Sequence, residues 1–178
     1  EDYLLACEAA RMLDDGEALA GYARAGLSAY PQRVEFPLHL VRALRQQGQL
    51  QESLTLLAAA QKKFPDNTTL VLESAVSQSM LGQDAAVVAT LTPLLASQPL
   101  AQAYALRAYA WWRMGEAAHA DDDAMNALVL DPGQVNAMLV QARIALLRNQ
   151  LPRAAESCRK ALARAPAQPF DKSLVVSA

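Results

Sequence analysis

Five prolines divide this chain at nearly constant intervals. Pro31, Pro65, Pro99, Pro132 and Pro166 follow one another at spacings of 34, 34, 33 and 34. Gly48, Gly82, Gly115 and Asn149 each precede one of the last four by 17. These are residue types that accept a left-handed backbone and so suit a tight turn. Proline lacks the N–H that a helix interior requires, so each one marks a stop. Every unit therefore reads as a helix, a short turn, a second helix and an end. A period near 34 with that layout predicts a helical solenoid.

The clearest copy is Ala101 to Gln134, AQAYALRAYAWWRMGEAAHADDDAMNALVLDPGQ. Its first helix is predicted over 102–114, with a turn at Gly115. The second runs to about Leu130 and stops at Asp131-Pro132-Gly133. Composition agrees with a chain that is nearly all helix. Ala and Leu dominate an apolar share of 53%, and only 6% of residues are aromatic.

Small residues recur where helix must approach helix. Ala108, Ala120 and Ala127 of the fourth unit return as Ala142, Ala154 and Ala161 in the fifth. The second unit holds Val41, Ser53 and Ala60 there. With Trp111, Gly115, Pro132 and the endings LVLDP and LARAP, this pattern resembles the tetratricopeptide repeat over about residues 2–168. The resemblance implies an all-α fold, an α-solenoid of antiparallel helix pairs wound as a right-handed superhelix. Its first helices would line a concave face. The array is expected over 1–168, in units of about 2–33, 34–67, 68–100, 101–134 and 135–168. Residues 169–178 then form a C-terminal extension or the start of a further segment, with Phe170, Leu174 and Val175 suited to cover a last apolar face.

Two units depart from the pattern. Gly16 precedes Pro31 by only 15, which predicts a first unit slightly shorter than the rest. In the third, Ser74 and Gln78 replace apolar residues, and Pro93 falls inside the second helix, where it should kink or loosen it.

Enzyme signatures are absent from the sequence. His39 and His119 sit in distant units, and there is no HExxH pair, phosphate-binding glycine loop or nucleophile elbow. Asp121, Asp122 and Asp123 are consecutive on a helix, where neighbours point about 100° apart and cannot converge on a cation. They read as a solvated outer face. Cys7 and Cys158 show no metal or redox spacing, and Cys158 reads as a small buried apolar residue. Asn67-Thr68-Thr69 fits a glycosylation sequon that occurs freely by chance. No cofactor or metal is implied. A net charge of −2 gives no drive toward nucleic acid, and no apolar run is long enough to span a membrane. Acidic residues gather at the start (Glu1, Asp2, Glu8, Asp14, Asp15, Glu17) and basic ones in the last third (Arg143, Arg148, Arg153, Arg159, Lys160, Arg164, Lys172). That asymmetry suits solvated faces or end-to-end self-association.

Binding leaves a stronger trace than catalysis. On the fourth unit's first helix, Tyr104, Ala108 and Trp111 make one stripe and Ala105, Tyr109 and Trp112 a second beside it. One stripe suffices to pack a helix onto its neighbours. The resemblance implies that the second stripe of each unit faces the groove. This places Leu38, Arg42 and Arg45, then Leu72, Val76 and Ser79, then Ala105, Tyr109 and Trp112, then Leu139, Arg143 and Leu146 on that surface, with Arg113 at its rim. Trp, Tyr and Arg dominate many binding interfaces. The expected ligand is a protein or peptide segment with apolar anchors and acidic groups. The Lys and Asn set by which chaperone-binding relatives clamp a terminal carboxylate is not present at these positions.

The leading expectation is thus a non-enzymatic scaffold for protein–protein interaction, of a kind found in bacterial secretion, pilus or envelope assemblies. Alternatives are the substrate-positioning repeat arm of a larger glycosyl- or sulfotransferase-type enzyme, and a structural spacer that stacks end to end. The chain begins without Met and inside a helical pattern, so it reads as part of a longer bacterial protein, a soluble segment of cytoplasm or periplasm.

Overall fold

A computed structural model describes residues 2–164, and the expected extension at 169–178 lies outside them. The described residues form ten helices and no strand. They are α1 (Asp2–Met12), α2 (Gly16–Ala29), α3 (Glu35–Gln46), α4 (Leu50–Lys63), α5 (Thr68–Met80), α6 (Asp84–Ser97), α7 (Ala101–Arg113), α8 (Ala117–Leu130), α9 (Val135–Leu147) and α10 (Leu151–Arg164). None is long and apolar enough to cross a membrane.

The helices pair through one recurring turn. Its left-handed residue is Asp14 (φ 55°), Gly48 (74°), Gly82 (74°), Gly115 (84°) or Asn149 (55°). Its N–H bonds back three residues, from Asp14 to Arg11 at 3.2 Å and at 3.0 Å in Gly48 to Arg45, Gly82 to Ser79, Gly115 to Trp112 and Asn149 to Leu146. The next N–H bonds back five, from Asp15 to Ala10, Gln49 to Leu44, Gln83 to Gln78, Glu116 to Trp111 and Gln150 to Ala145, at 2.8–3.0 Å. These are the two bonds of the Schellman motif, which satisfy carbonyls that a helix end would otherwise orphan.

The first pair corrects the sequence expectation. Its left-handed residue is Asp14, which precedes Pro31 by 17 like its counterparts in the other units, and Gly16 is the first residue of α2. The unit is not shortened. Asp15 then caps α2, its carboxylate accepting from the Ala18 N–H at 2.9 Å.

The chain divides into two compact units, Glu1–Ser77 and Gln78–Ala178. In the first, α1 to α3 pack around Cys7, Leu19, Ala23, Phe36, Leu40 and Leu44. Phe36 is 1% exposed and lies against Gly26, where a Cβ would overlap its ring. Glycine at that point is the hole that the ring fills. Tyr30 stacks on Phe36 as well, with ring centroids 6.1 Å apart. A second cluster joins Val41, Leu57, Ala60 and Leu70. Buried serines are satisfied locally: Ser53 Oγ donates to the Leu50 carbonyl at 2.7 Å and lies 3.1 Å from Ser77 Oγ, and Ser74 Oγ accepts from Gln61 Nε2 at 3.1 Å. Asn67, the asparagine of the chance sequon, uses its side-chain oxygen to accept the Leu70 N–H at the start of α5.

The second unit is built on alanine. Ala105, Ala108, Ala120, Ala124, Ala127 and Ala137 surround Val140 and Ile144, and Val135, Met138 and Ala161 form a further cluster. The small-residue columns read from the sequence are buried throughout. Pro93 lies inside α6, which runs unbroken from Asp84 to Ser97. Both Pro93 and Ala89, whose carbonyl loses its donor, are exposed, so water can replace the missing bond. The Asp121–Asp123 run is not a solvated face. Asp123 is 5% exposed and pairs with Arg107 through two parallel bonds of 2.7 and 2.8 Å, while Asp121 pairs with Arg148 at 2.5 Å. Asp122 alone points to solvent. Cys158 is half-buried, whereas Leu57, Leu91 and Ala124 in its column are fully buried. α10 is the last described helix, and no other described helix covers its outer side.

Candidate functional site

The two adjacent tryptophans of α7 diverge because one residue along a helix turns the side chain by about 100°. Trp111 points into the α7–α8 pairing and stacks on the His119 imidazole of α8, with centroids 4.9 Å apart. Trp112 lies instead beside Tyr109, one turn earlier on the same helix, at 5.7 Å and an interplanar angle of 24°. α9 supplies the third member. The Arg143 guanidinium sits 4.5 Å from the Trp112 ring centre and 5.3 Å from that of Tyr109. Guanidinium stacks well on aromatic faces because it is planar and weakly hydrated.

Arg143 has no carboxylate partner among the described residues, and its guanidinium rests on these two rings. Its neighbours along the same face of α9 are apolar. Leu139, half-buried, precedes it by four residues and Leu146, 54% exposed, follows by three. The surface is therefore an aromatic shelf and two leucines around one uncompensated positive charge.

Arg113 borders the same ring, 5.7 Å from the centre of Tyr109, but its charge is already met. Its Nε is 3.2 Å from Asp84 Oδ2, and its Nη1 donates to the Ser79 carbonyl at 3.2 Å. Asp84 opens α6, with its side chain 13% exposed. Burial pushes its carboxyl above the usual carboxylate range, and the Arg113 charge pulls the other way.

The other sequence-predicted positions fall mainly in the first unit. Leu38 is half-buried against the Val41–Leu57 cluster. Arg42 is exposed and forms no ion pair among the described residues. Arg45 is engaged, its guanidinium paired with the Glu73 carboxylate and donating to the Glu73 carbonyl at 3.4 Å. Leu72 is half-buried. Val76, Ser79 and Ala105 are buried, and so is Tyr109 at 4% exposure. Tyr109 thus supports Trp112 and the two arginines rather than offering a surface of its own. The structure brings Tyr109, Trp112, Arg113 and Arg143 together, with Leu139 one turn before Arg143 on α9 and packed against the Val135–Met138–Ala161 cluster. Leu38, Arg42, Arg45, Leu72 and Val76 belong to the other compact unit.

Sequence reasoning missed Glu73 and Asp84, the carboxylates that neutralise Arg45 and Arg113. Each lies most of a repeat away from its arginine and on a different helix, a separation with no local helical signature. No group of three or more His, Cys, Asp or Glu able to hold a metal occurs among the described residues.

No protein-family model matches the chain, nor does any curated protein. Solved structures do. TTC0263, a thermophilic tetratricopeptide-repeat protein of Thermus thermophilus, superposes with a TM-score of 0.79 at 18% identity, over 97% of this chain and 93% of its own. MamA, from residue 41 to its end, of Desulfovibrio magneticus RS-1 gives 0.74 at 17% identity, over 93% of this chain and 94% of its own. A tetratricopeptide repeat protein from Parabacteroides merdae gives 0.72 at 19% identity, over 97% and 68%. At such identities the likeness speaks for architecture alone, and with the five proline-phased helix pairs it is decisive: the chain has the tetratricopeptide-repeat fold.

Proposed function

We propose that the chain is a protein-interaction module, without catalytic activity of its own, that captures a segment of a partner protein on the face formed by α7 and α9. One observation carries this reading. Arg143 is held half-buried on an aromatic shelf, flanked by leucines, with no internal charge to compensate it. Keeping a guanidinium partly out of water without a counter-charge is unfavourable; the two rings offset part of that cost, and no carboxylate among the described residues offsets the rest. A partner bringing apolar contacts and a negative charge would meet both halves of it. Trp112 and Arg143 are the expected anchors, with Leu139 and Leu146 beside them. Arg42, Leu38 and Leu72 offer a comparable but less enclosed surface in the other unit.

Peptides selected by display against the intact chain test this directly. Those that bind should lose roughly tenfold or more in affinity toward Trp112→Ala and Arg143→Gln, the loss typical of hot-spot residues. Helical circular dichroism should be unchanged in both variants. Selected peptides that ignore both substitutions would overturn the assignment.

A further inference from the structure

The shelf carries two arginines but only one open charge, and that difference has a structural cause. Arg113 and Arg143 approach the Tyr109 ring to 5.7 and 5.3 Å. Without Asp84, the two guanidiniums would present a double positive charge beside one ring. Asp84 instead takes the Nε side of Arg113 at 3.2 Å, and the Ser79 carbonyl takes Nη1 at the same distance. What remains is a single positive charge on Arg143. The chain also places leucines on both sides of that charge, Leu139 before it and Leu146 after it on the same helix face.

Resting on the interaction reading above, we infer that this shelf takes one internal acidic side chain flanked by apolar residues, and that Asp84 makes it selective for a single negative charge by neutralising Arg113. A carboxylate matches the fork of one guanidinium, two N–H groups against two oxygens. A phosphoryl dianion needs a second cation nearby, and Asp84 holds that cation in a pair. The apolar residues on either side place the charge within a segment rather than at its end, so a chain-terminal carboxylate would leave one leucine uncovered. Asp84 is a positioning residue in this scheme: it touches Arg113 and never the ligand.

Three leucine-rich pentapeptides blocked at both ends, with glutamate, glutamine or phosphoserine at the centre, supply the probes, read by fluorescence anisotropy on the whole chain. A fourth carries leucines alone and a free C-terminal carboxylate. In the unmodified protein the glutamate peptide should bind about tenfold tighter than the glutamine peptide, a typical difference for a charge-assisted bidentate pair. It should also bind at least as tightly as the phosphoserine peptide, and tighter than the free-carboxylate peptide. Asp84→Asn, nearly isosteric, should shift preference toward phosphoserine by about tenfold, since the second cation is freed. Adding Arg113→Gln to Asp84→Asn should remove that shift, a reversal that a merely structural role for Asp84 does not produce. Tighter phosphoserine binding in the unmodified protein, or an unshifted ratio in Asp84→Asn, overturns the charge assignment. Preference for the free-carboxylate peptide overturns the internal placement. If the glutamate and glutamine peptides bind equally but Trp112→Ala releases both, the interaction face stands and only its charge selectivity falls. If none binds, both readings fall together.

Discussion

The two compact units share one backbone recipe and fill it in opposite ways. In the first, α2 leaves a hole at Gly26 and Phe36 occupies it, so a single large ring organises the packing. In the second, the position in register with Gly26 is Ala127, and the position in register with Phe36 is Ala137, both fully buried. Aromatic mass there has moved to α7, where Trp112 and Tyr109 meet the arginines. One unit uses its large ring wholly for packing, and the other sets half-buried Trp112, resting on buried Tyr109, beside a charge. A repeat fixes where side chains stand and leaves open which of them do structural work.

That contrast can be broken experimentally, beginning with its largest expected effect. Phe36→Ala empties the centre of the first unit and should cost about 3–5 kcal/mol, measured by denaturant unfolding. A loss below about 1 kcal/mol would show that the ring is not the organising element, given the usual cost of such cavities. Gly26→Ala acts from the other side of the same contact. Its methyl group would overlap the ring, and overpacking of this kind costs about 1–3 kcal/mol. The reverse exchange in the second unit, Ala127→Gly, removes one methyl group and should cost about 1 kcal/mol, mainly through helix propensity. Equal penalties for the two exchanges would erase the distinction.

The smallest effect concerns acid. His39 lies 3.6 Å from Glu8 in the first unit. Burial holds its imidazole below the ordinary value; Glu8 and Glu35 oppose this, while Arg42 and Arg11 reinforce it. A histidine with a depressed folded-state pKa takes up protons more readily when unfolded. Its contribution is therefore present above the ordinary value of about 6.5 and declines as pH falls through the window below it. Unfolding midpoints followed from about pH 7.5 down to about pH 5 should fall less steeply in His39→Gln. Parallel curves for the two proteins would remove His39 from the account.

The architecture was legible because it is encoded locally. Proline phase, left-handed turn residues and small-residue columns each act within one helix or one turn, and the helices follow them closely. The one misreading of a turn, Gly16 in place of Asp14, came from weighting residue type over spacing. Counting 17 back from Pro31 lands on an aspartate, which also visits the left-handed region. The site was less legible. That Trp112 and Arg143 lie against one another follows from helical spacing on each helix together with the face that the repeat resemblance assigns to them. The pairing of Arg45 and Arg113 with carboxylates was not legible, because Glu73 and Asp84 reach them from other helices. The burial of Asp123 was missed for the same reason: its partner Arg107 lies on the preceding helix, α7.

The recurring turn has a consequence for how this chain assembles. Each one closes through hydrogen bonds between residues at most five apart, so bringing two helices together forfeits little loop entropy. Contacts of such short range form early and fast. A helix pair can then serve as a nucleus wherever it arises, with its neighbours adding in sequence as they would along a one-dimensional lattice. Side chains on the α7–α9 shelf are absent from those closing bonds. They can be exchanged while the order of assembly stays the same.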